Sequence, residues 1–327
     1  MRMALGAAVA LLIAWSSGVA AREKIAIPSI TPKSLAEFLH RQGAPATVAG
    51  ELYLPTQRTG AVPVLILKHG SGGLGGANGD AIRQWAQLVA RWGVAALVVD
   101  SFGPLGITDT AANQAQLSSW ADVADTLAAL KLLGADARFD KRRIGVMGWS
   151  RGGSVALETA LETVRTRIIA DDLKFAAHVV FYGAAEFQYR DRATDRSPML
   201  FFHGEADNYV PVGPTREFAD WAQSMGNRVS FVAYPGTYHD FDVEGGFHGF
   251  ARNLEVGAKC DLILDLTNGH VLRMDHKDNP GVGAEAVRGY VRSCFSRGAN
   301  LAYNAAARAA AAEKLHAFLR QYLGATG

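Results

Sequence analysis

The sequence predicts an α/β fold, a doubly wound and mostly parallel sheet with helices packed on its faces. Between Ala46 and Tyr234, short β-branched or aliphatic runs alternate with longer amphipathic segments, the pattern of parallel strands joined by crossover helices. Most of the short runs are apolar and bounded by Gly, Pro or Asp, as buried strands are. A composition that is 49% apolar and 20% charged excludes a disordered or fibrous chain and supplies enough apolar surface for a large core.

In chain order, strands are predicted over Thr47 to Leu54, Val62 to Lys68, Ala95 to Val99, Arg143 to Met147, His178 to Tyr182, Met199 to Phe202 and Val229 to Tyr234. Helices are predicted over about Asp80 to Trp92, Gln114 to Leu133, Gly153 to Thr163 and Thr215 to Met225. In the second helix Leu117, Trp120, Val123, Leu127, Leu130 and Leu133 recur at three or four and form one apolar stripe. After His239 the alternation lapses. The stretch from Asp242 to Asn300 is rich in Gly, Asp, Asn and charge, has only weak strand signals such as Asp261 to Leu266, and reads as an insertion. Helical periodicity returns from Leu301 to Leu323, where Leu315, Phe318, Leu319 and Tyr322 would close the domain against the sheet.

Residues 1–21 read as a secretory signal peptide: Arg2 is the charged start, Ala4 to Trp15 is apolar, and the small residues Ser16, Ser17, Gly18, Ala20 and Ala21 precede cleavage after Ala20 or Ala21. The apolar run is shorter than the roughly 20 residues a membrane span needs, so no stable membrane anchor is expected. Residues 22–327 then form a single exported α/β domain, periplasmic or secreted. Cys260 and Cys294 are the only cysteines, and in an oxidising compartment they are expected to pair. Such a bridge closes a loop of about 35 residues, worth roughly 3 to 4.7 kcal/mol in the chain-entropy model.

The 33 basic and 31 acidic residues nearly cancel, which leaves no field to hold a nucleic acid or an anionic membrane. The expected partner is a small molecule, and the oligomeric state is left open.

The sharpest local signal is Gly148-Trp149-Ser150-Arg151-Gly152, preceded by a predicted strand and followed by a predicted helix. That strand-turn-helix context marks a nucleophile elbow: a tight turn exposes the serine hydroxyl, and glycines allow strand and helix to converge. A serine hydroxyl needs a base, and the base needs an orienting acid. Asp207 and His239 each sit just beyond the C-terminal end of a predicted strand, the edge where open parallel sheets bind ligands. Their order, Ser150, Asp207, His239, is the order of the α/β-hydrolase fold. Glu205, in the same loop as Asp207, is the reserve acid. Asp240 and Asp242 adjoin His239 but, as its sequence neighbours, are expected to point elsewhere.

The oxyanion of an acyl-transfer intermediate needs preformed donors. The loop Lys68-His69-Gly70-Ser71-Gly72-Gly73 follows a strand where this fold places one donor, so the backbone amides of Ser71 and Arg151 are the candidates. A phosphate-binding reading of that loop has no matching P-loop or dinucleotide fingerprint. A metal site built from His248, His270 or His276 with Asp261 or Asp275 has no ligand spacing behind it.

These residues resemble the dienelactone hydrolase family. The resemblance spans about Ala46 to Asp242 and rests on the runs Lys68 to Gly72, Val99 to Gly103, Arg143 to Gly153, His203 to Asp207 and Tyr234 to Phe241. It implies a Ser150, Asp207, His239 triad acting on esters or lactones without a cofactor. The founding members use cysteine as the nucleophile where this chain has Ser150, which favours a general esterase. The segment Asp100-Ser101-Phe102-Gly103-Pro104 would shape the pocket, or Asp100 would cap the following turn. The competing readings are a non-catalytic binding protein that keeps the fold, and a serine peptidase.

Overall fold

A computed structural model describes residues 22–57, 60–185, 187–189, 193–260, 262–273 and 293–326. The expected signal peptide lies outside the described residues, as do Asp261, Asp275 and His276. The central sheet has eight strands, numbered here along the chain. They are β1 (Arg22–Thr31), β2 (Ala44–Tyr53), β3 (Val62–Lys68), β4 (Ala95–Asp100), β5 (Phe139–Trp149), β6 (Ala177–Phe181), β8 (Met199–Gly204) and β9 (Val229–Tyr234), with β7 (Phe187–Tyr189) outside that sheet. Their spatial order is β1-β2-β4-β3-β5-β6-β8-β9. The pairings β1 with β2 and β2 with β4 are antiparallel, and every later pairing is parallel. Strand order reverses between β3 and β5, so a crevice opens beyond their C-terminal ends, where Ser71 and Ser150 follow.

Strand β3 is buried at every position, which explains its unbroken apolar reading. Two apolar layers sandwich the sheet. One holds Leu127, Leu130 and Val155, and the other holds Trp85, Val89, Leu315 and Leu319. The helices are α1 (Leu35–Leu39), α2 (Gly76–Arg91), α3 (Ser119–Ala135), α4 (Arg151–Glu158), α5 (Glu162–Ile168), α6 (Val212–Ser224) and α7 (Ala305–Tyr322). Among the described residues no helix is long and apolar enough to cross a membrane.

Several boundaries differ from the sequence reading. The helix expected over Gly153 to Thr163 is two helices. Leu161 is extended at φ −72°, ψ 123°, and it bridges to Thr194 instead of continuing the turn. The helix expected from Gln114 starts at Ser119, because the Ser118 hydroxyl accepts the Trp120 amide and Leu117 is extended. Helix α2 begins four residues before Asp80, its first turn Gly76-Ala77-Asn78-Gly79 being too glycine-rich to read as helix.

The insertion is more regular than expected. It contributes β10 (Gly249–Val256), β11 (Leu262–Asp265), β12 (His270–Arg273) and β13 (Ser296–Leu301). β10 and β13 form an antiparallel ribbon, while β11 pairs with β12 and, in parallel, with β7. Leu301 therefore ends a strand, and the last helix starts only at Ala305, capped by the Asn304 side chain. Cys260 and Cys294 are joined by a disulfide with Cα atoms 5.1 Å apart. Leu315, Phe318 and Leu319 are buried, so α7 closes one face of the sheet as expected.

Candidate active site

Ser150 lies between the end of β5 and the start of α4, at φ 51° and ψ −120°. This is the left-handed side of backbone space, which a non-glycine residue occupies only when its surroundings impose it. Here the Ser150 amide donates to the Phe181 carbonyl at the end of β6, at 2.9 Å. A Cβ on Gly148 would run into the Gly152 carbonyl, and one on Gly152 into the Lys68 and His69 carbonyls. The two elbow glycines are thus demanded by close backbone approach.

Asp207 is buried in the loop after β8. Its Oδ1 accepts the Tyr209 and Val210 amides, both at 2.9 Å, which leaves Oδ2 to accept from His239 Nδ1 at 2.7 Å. The imidazole is thereby held with its proton on Nδ1 and with Nε2 directed away from the acid. His239 Nε2 is buried and has no hydrogen-bond partner among the described residues. Tyr182 and Tyr209 flank the ring at centroid distances of 4.4 and 4.8 Å. Burial alone would lower the His239 pKa, but Asp207, with help from Asp240 and Asp242, outweighs it and raises the pKa above its ordinary value. The reserve acid Glu205 is exposed, and its amide donates to the Tyr234 carbonyl.

Ser150 and His239 line one pocket of about 200 Å³ together with Ser71, Trp149, Tyr182, Tyr209, Asp240 and Asp242. The Ser71 carbonyl accepts from the Thr110 amide at 2.8 Å and its hydroxyl donates to Gln114 Oε1 at 3.0 Å, which fixes the loop beside Ser150. The Arg151 amide opens α4, where first-turn amides lack intrahelical acceptors. Segment 100–104 does not line this pocket. Asp100 instead caps the next turn, its Oδ1 accepting the Phe102 and Gly103 amides.

Two charge arrangements went unread in the sequence. Behind the donor loop, the buried Asp122 carboxylate meets Lys68 Nζ and Arg151 Nε, each at 2.7 Å. Burial alone would raise the Asp122 pKa, yet Arg151 and Lys68 hold the carboxyl well below the usual range. His69 completes the cluster: Nδ1 donates to the Gly70 carbonyl, and Nε2 accepts from the Ser101 amide and Lys68. Burial, reinforced by the Lys68 charge, pushes its pKa down to about 3, so the ring stays neutral. The readable signal was a pair of acids, Asp122 and Asp125, set among the apolar residues of α3.

The second arrangement corrects the reading of the histidine's neighbours. Asp240 and Asp242 do not point away from the site, since both line the pocket. The turn after His239, with Asp240 at φ 57°, brings them round to it. Asp242 is fully buried and accepts Trp85 Nε1 and Trp149 Nε1 at 2.7 Å and the Tyr182 hydroxyl at 2.6 Å. The insertion reaches the site as well: the Ala302 amide donates to the His239 carbonyl, and Leu254 and Leu301 line the pocket.

The edge antiparallel strands, the strand-order reversal and the elbow beside it place the chain among the α/β hydrolases. Residues 48–254 match the Dienelactone hydrolase family, and the chain belongs to that family. A dienelactone hydrolase-like promiscuous phosphotriesterase from metagenomic libraries superposes with a TM-score of 0.55 at 17% identity, over 93% of this chain and all of that one. A protein of Klebsiella pneumoniae assigned as a dienelactone hydrolase gives 0.50 at 17% identity, over 68% of this chain and 90% of its own. An esterase from Thermogutta terrifontis bound to propionate gives 0.47 at 19% identity, over 60% and 81%. At these identities the first two superpositions speak to the fold alone. No curated protein matches the sequence. Family membership supports hydrolysis of carboxylic esters.

Proposed function

We propose that the protein hydrolyses small carboxylic esters or lactones by two-step acyl transfer, with Ser150 as nucleophile, His239 as base and Asp207 as orienting acid. The observation that carries the reading is the convergence of Ser150 and His239 on one pocket, with His239 Nδ1 bonded to Asp207 and Nε2 unpartnered among the described residues. In the first step Nε2 takes the Ser150 proton as Oγ attacks the ester carbonyl. The oxyanion that forms is met by the Ser71 and Arg151 amides, and collapse expels the alcohol, which takes the proton back from His239. Water then repeats the sequence, releasing the acid and restoring Ser150. A cavity of about 200 Å³ suits short acyl groups.

An organophosphonate should label Ser150 stoichiometrically, and Ser150→Ala should lose hydrolysis of 4-nitrophenyl butanoate by at least about 10³-fold. An unlabelled protein with undiminished turnover would refute the reading. We further propose export by the N-terminal segment, a reading the disulfide supports. An exported protein has a mature N-terminus at Ala21 or Arg22, which sequencing of material from the native host would read.

A further inference from the structure

The pocket is lined by carboxyl groups, and burial pushes that of Asp240 up to about 6, so it carries a negative charge at pH 7.5 and above. Asp240 lines it with a carboxylate oxygen 3.9 Å from His239 Nε2, and Asp109 and Asp242 line it too. No Lys or Arg is among the described residues that line it. The guanidinium of Arg151, next to Ser150 in the chain, is paired with Asp122. The three carboxylates are not equivalent. Asp242 is sealed by two indole N–H donors and a phenol, whereas the Asp240 side chain retains 23% exposure, and its one charged partner among the described residues is His239.

We propose that Asp240 sets the substrate class of this site, favouring esters that carry a cationic group and rejecting esters that carry a carboxylate. The inference rests on the ester-hydrolase reading above. A substrate entering a cavity of this size gives up most of its hydration there. A second carboxylate would be desolvated against the first, at an effective dielectric well below that of water. An ammonium would instead meet an opposite charge beside the rings of Tyr182 and Tyr209, which attract cations through their faces. Neutral esters fall between the two.

Isosteric pairs that differ only in charge test this. On the acyl side, the 4-nitrophenyl ester of 4-(trimethylammonio)butanoate is compared with that of 5,5-dimethylhexanoate, and the hemiester of glutarate with that of glutaramic acid. On the alcohol side, the choline ester of butanoate is compared with the 3,3-dimethylbutyl ester. The cationic member of at least one pair should exceed its neutral isostere about tenfold in kcat/KM, equivalent to about 1.4 kcal/mol, and the anionic hemiester should trail its amide by a similar factor. In Asp240→Asn, which keeps a residue tolerant of positive φ, both ratios should move toward one. Cationic and anionic esters matching their isosteres within about threefold, or ratios unchanged in Asp240→Asn, would overturn the proposal and leave the esterase reading standing. Absence of turnover on every ester, the neutral ones included, would overturn both.

Discussion

Removing the Asp122 carboxylate should destabilise the protein far more than an ordinary surface ion-pair loss. Asp122 is fully buried on α3, and it is the shared counter-ion of Lys68 at the end of β3 and of Arg151 at the start of α4. Asp122→Ala would leave an ammonium with its side chain fully buried and a guanidinium with its side chain 9% exposed facing each other without that counter-ion. Breaking a buried pair in this way costs about 3 to 5 kcal/mol. Arg151 keeps the Leu117 carbonyl at 2.6 Å, and Lys68 keeps His69 Nε2 at 3.2 Å, so the lower half of that range applies. With a urea slope of about 2 to 3 kcal/mol/M, the unfolding midpoint should fall by roughly 1 to 2 M. The pH dependence has a definite sign. The folded Asp122 pKa is depressed, so the stability it contributes is present above its ordinary pKa and lost as pH falls through the depressed value. The gap between wild type and Asp122→Ala should therefore persist from pH 8 to pH 5 and narrow only in strong acid. Urea titrations followed by tryptophan fluorescence at pH 7.5 measure it, and a midpoint shift below about 0.3 M would refute the counter-ion argument. Because Lys68 precedes the Ser71 loop and Arg151 follows Ser150, kcat should fall in the folded variant while organophosphonate labelling still occurs.

Three further outcomes follow from the same geometry. With His239 raised above its ordinary value and required neutral as a base, kcat/KM should fall on the acid side with a midpoint above about 6.5, and Asp240→Asn should move that midpoint down, as a pH-rate profile would show. Glu158 is fully buried with a pKa pushed up by burial to about 7, so folding stability should decline as pH rises from its unfolded value toward 7. Glu158→Gln keeps an acceptor for the Tyr189 hydroxyl and should gain up to about 3 kcal/mol at pH 8 and almost nothing at pH 4, read by thermal melts. Replacing Cys260 and Cys294 by alanine should cost about 3 to 4 kcal/mol in the unfolding of the segment they close, and equal midpoints for the variant and the parent in urea would contradict that.

The parallel half of the sheet was legible because β3, β4, β6 and β8 are almost wholly buried, and burial on both faces writes an unbroken apolar run. The first strand, β1, was missed for the opposite reason. It is an edge strand whose residues are mostly exposed or half-buried, so Arg22 to Thr31 leave no unbroken apolar run to mark it. The ribbon of β10 and β13 escaped on similar grounds: its partners are 40 or more residues apart, its faces are half-buried, and its register shifts between Ala251 and Glu255. A strand stabilised by a distant partner leaves little local trace.

The candidate site divides along the same line. Ser150, Asp207 and His239 were readable because each sits within five residues of a strand's C-terminal end, in a turn whose chemistry is local. What holds and tunes them was not, because each contact joins residues far apart in sequence. Asp242 meets Trp85 across 157 positions and Trp149 across 93, and Arg151 meets Asp122 across 29. Spacing along the chain could mark Asp240 and Asp242 as too close to His239 to orient it. It could not show that the turn after His239 returns both carboxylates to the pocket, where they raise the histidine's basicity. The residues proposed to perform the chemistry are thus written in local motifs, while the charge environment proposed to select their substrate is set by the folded path of the chain.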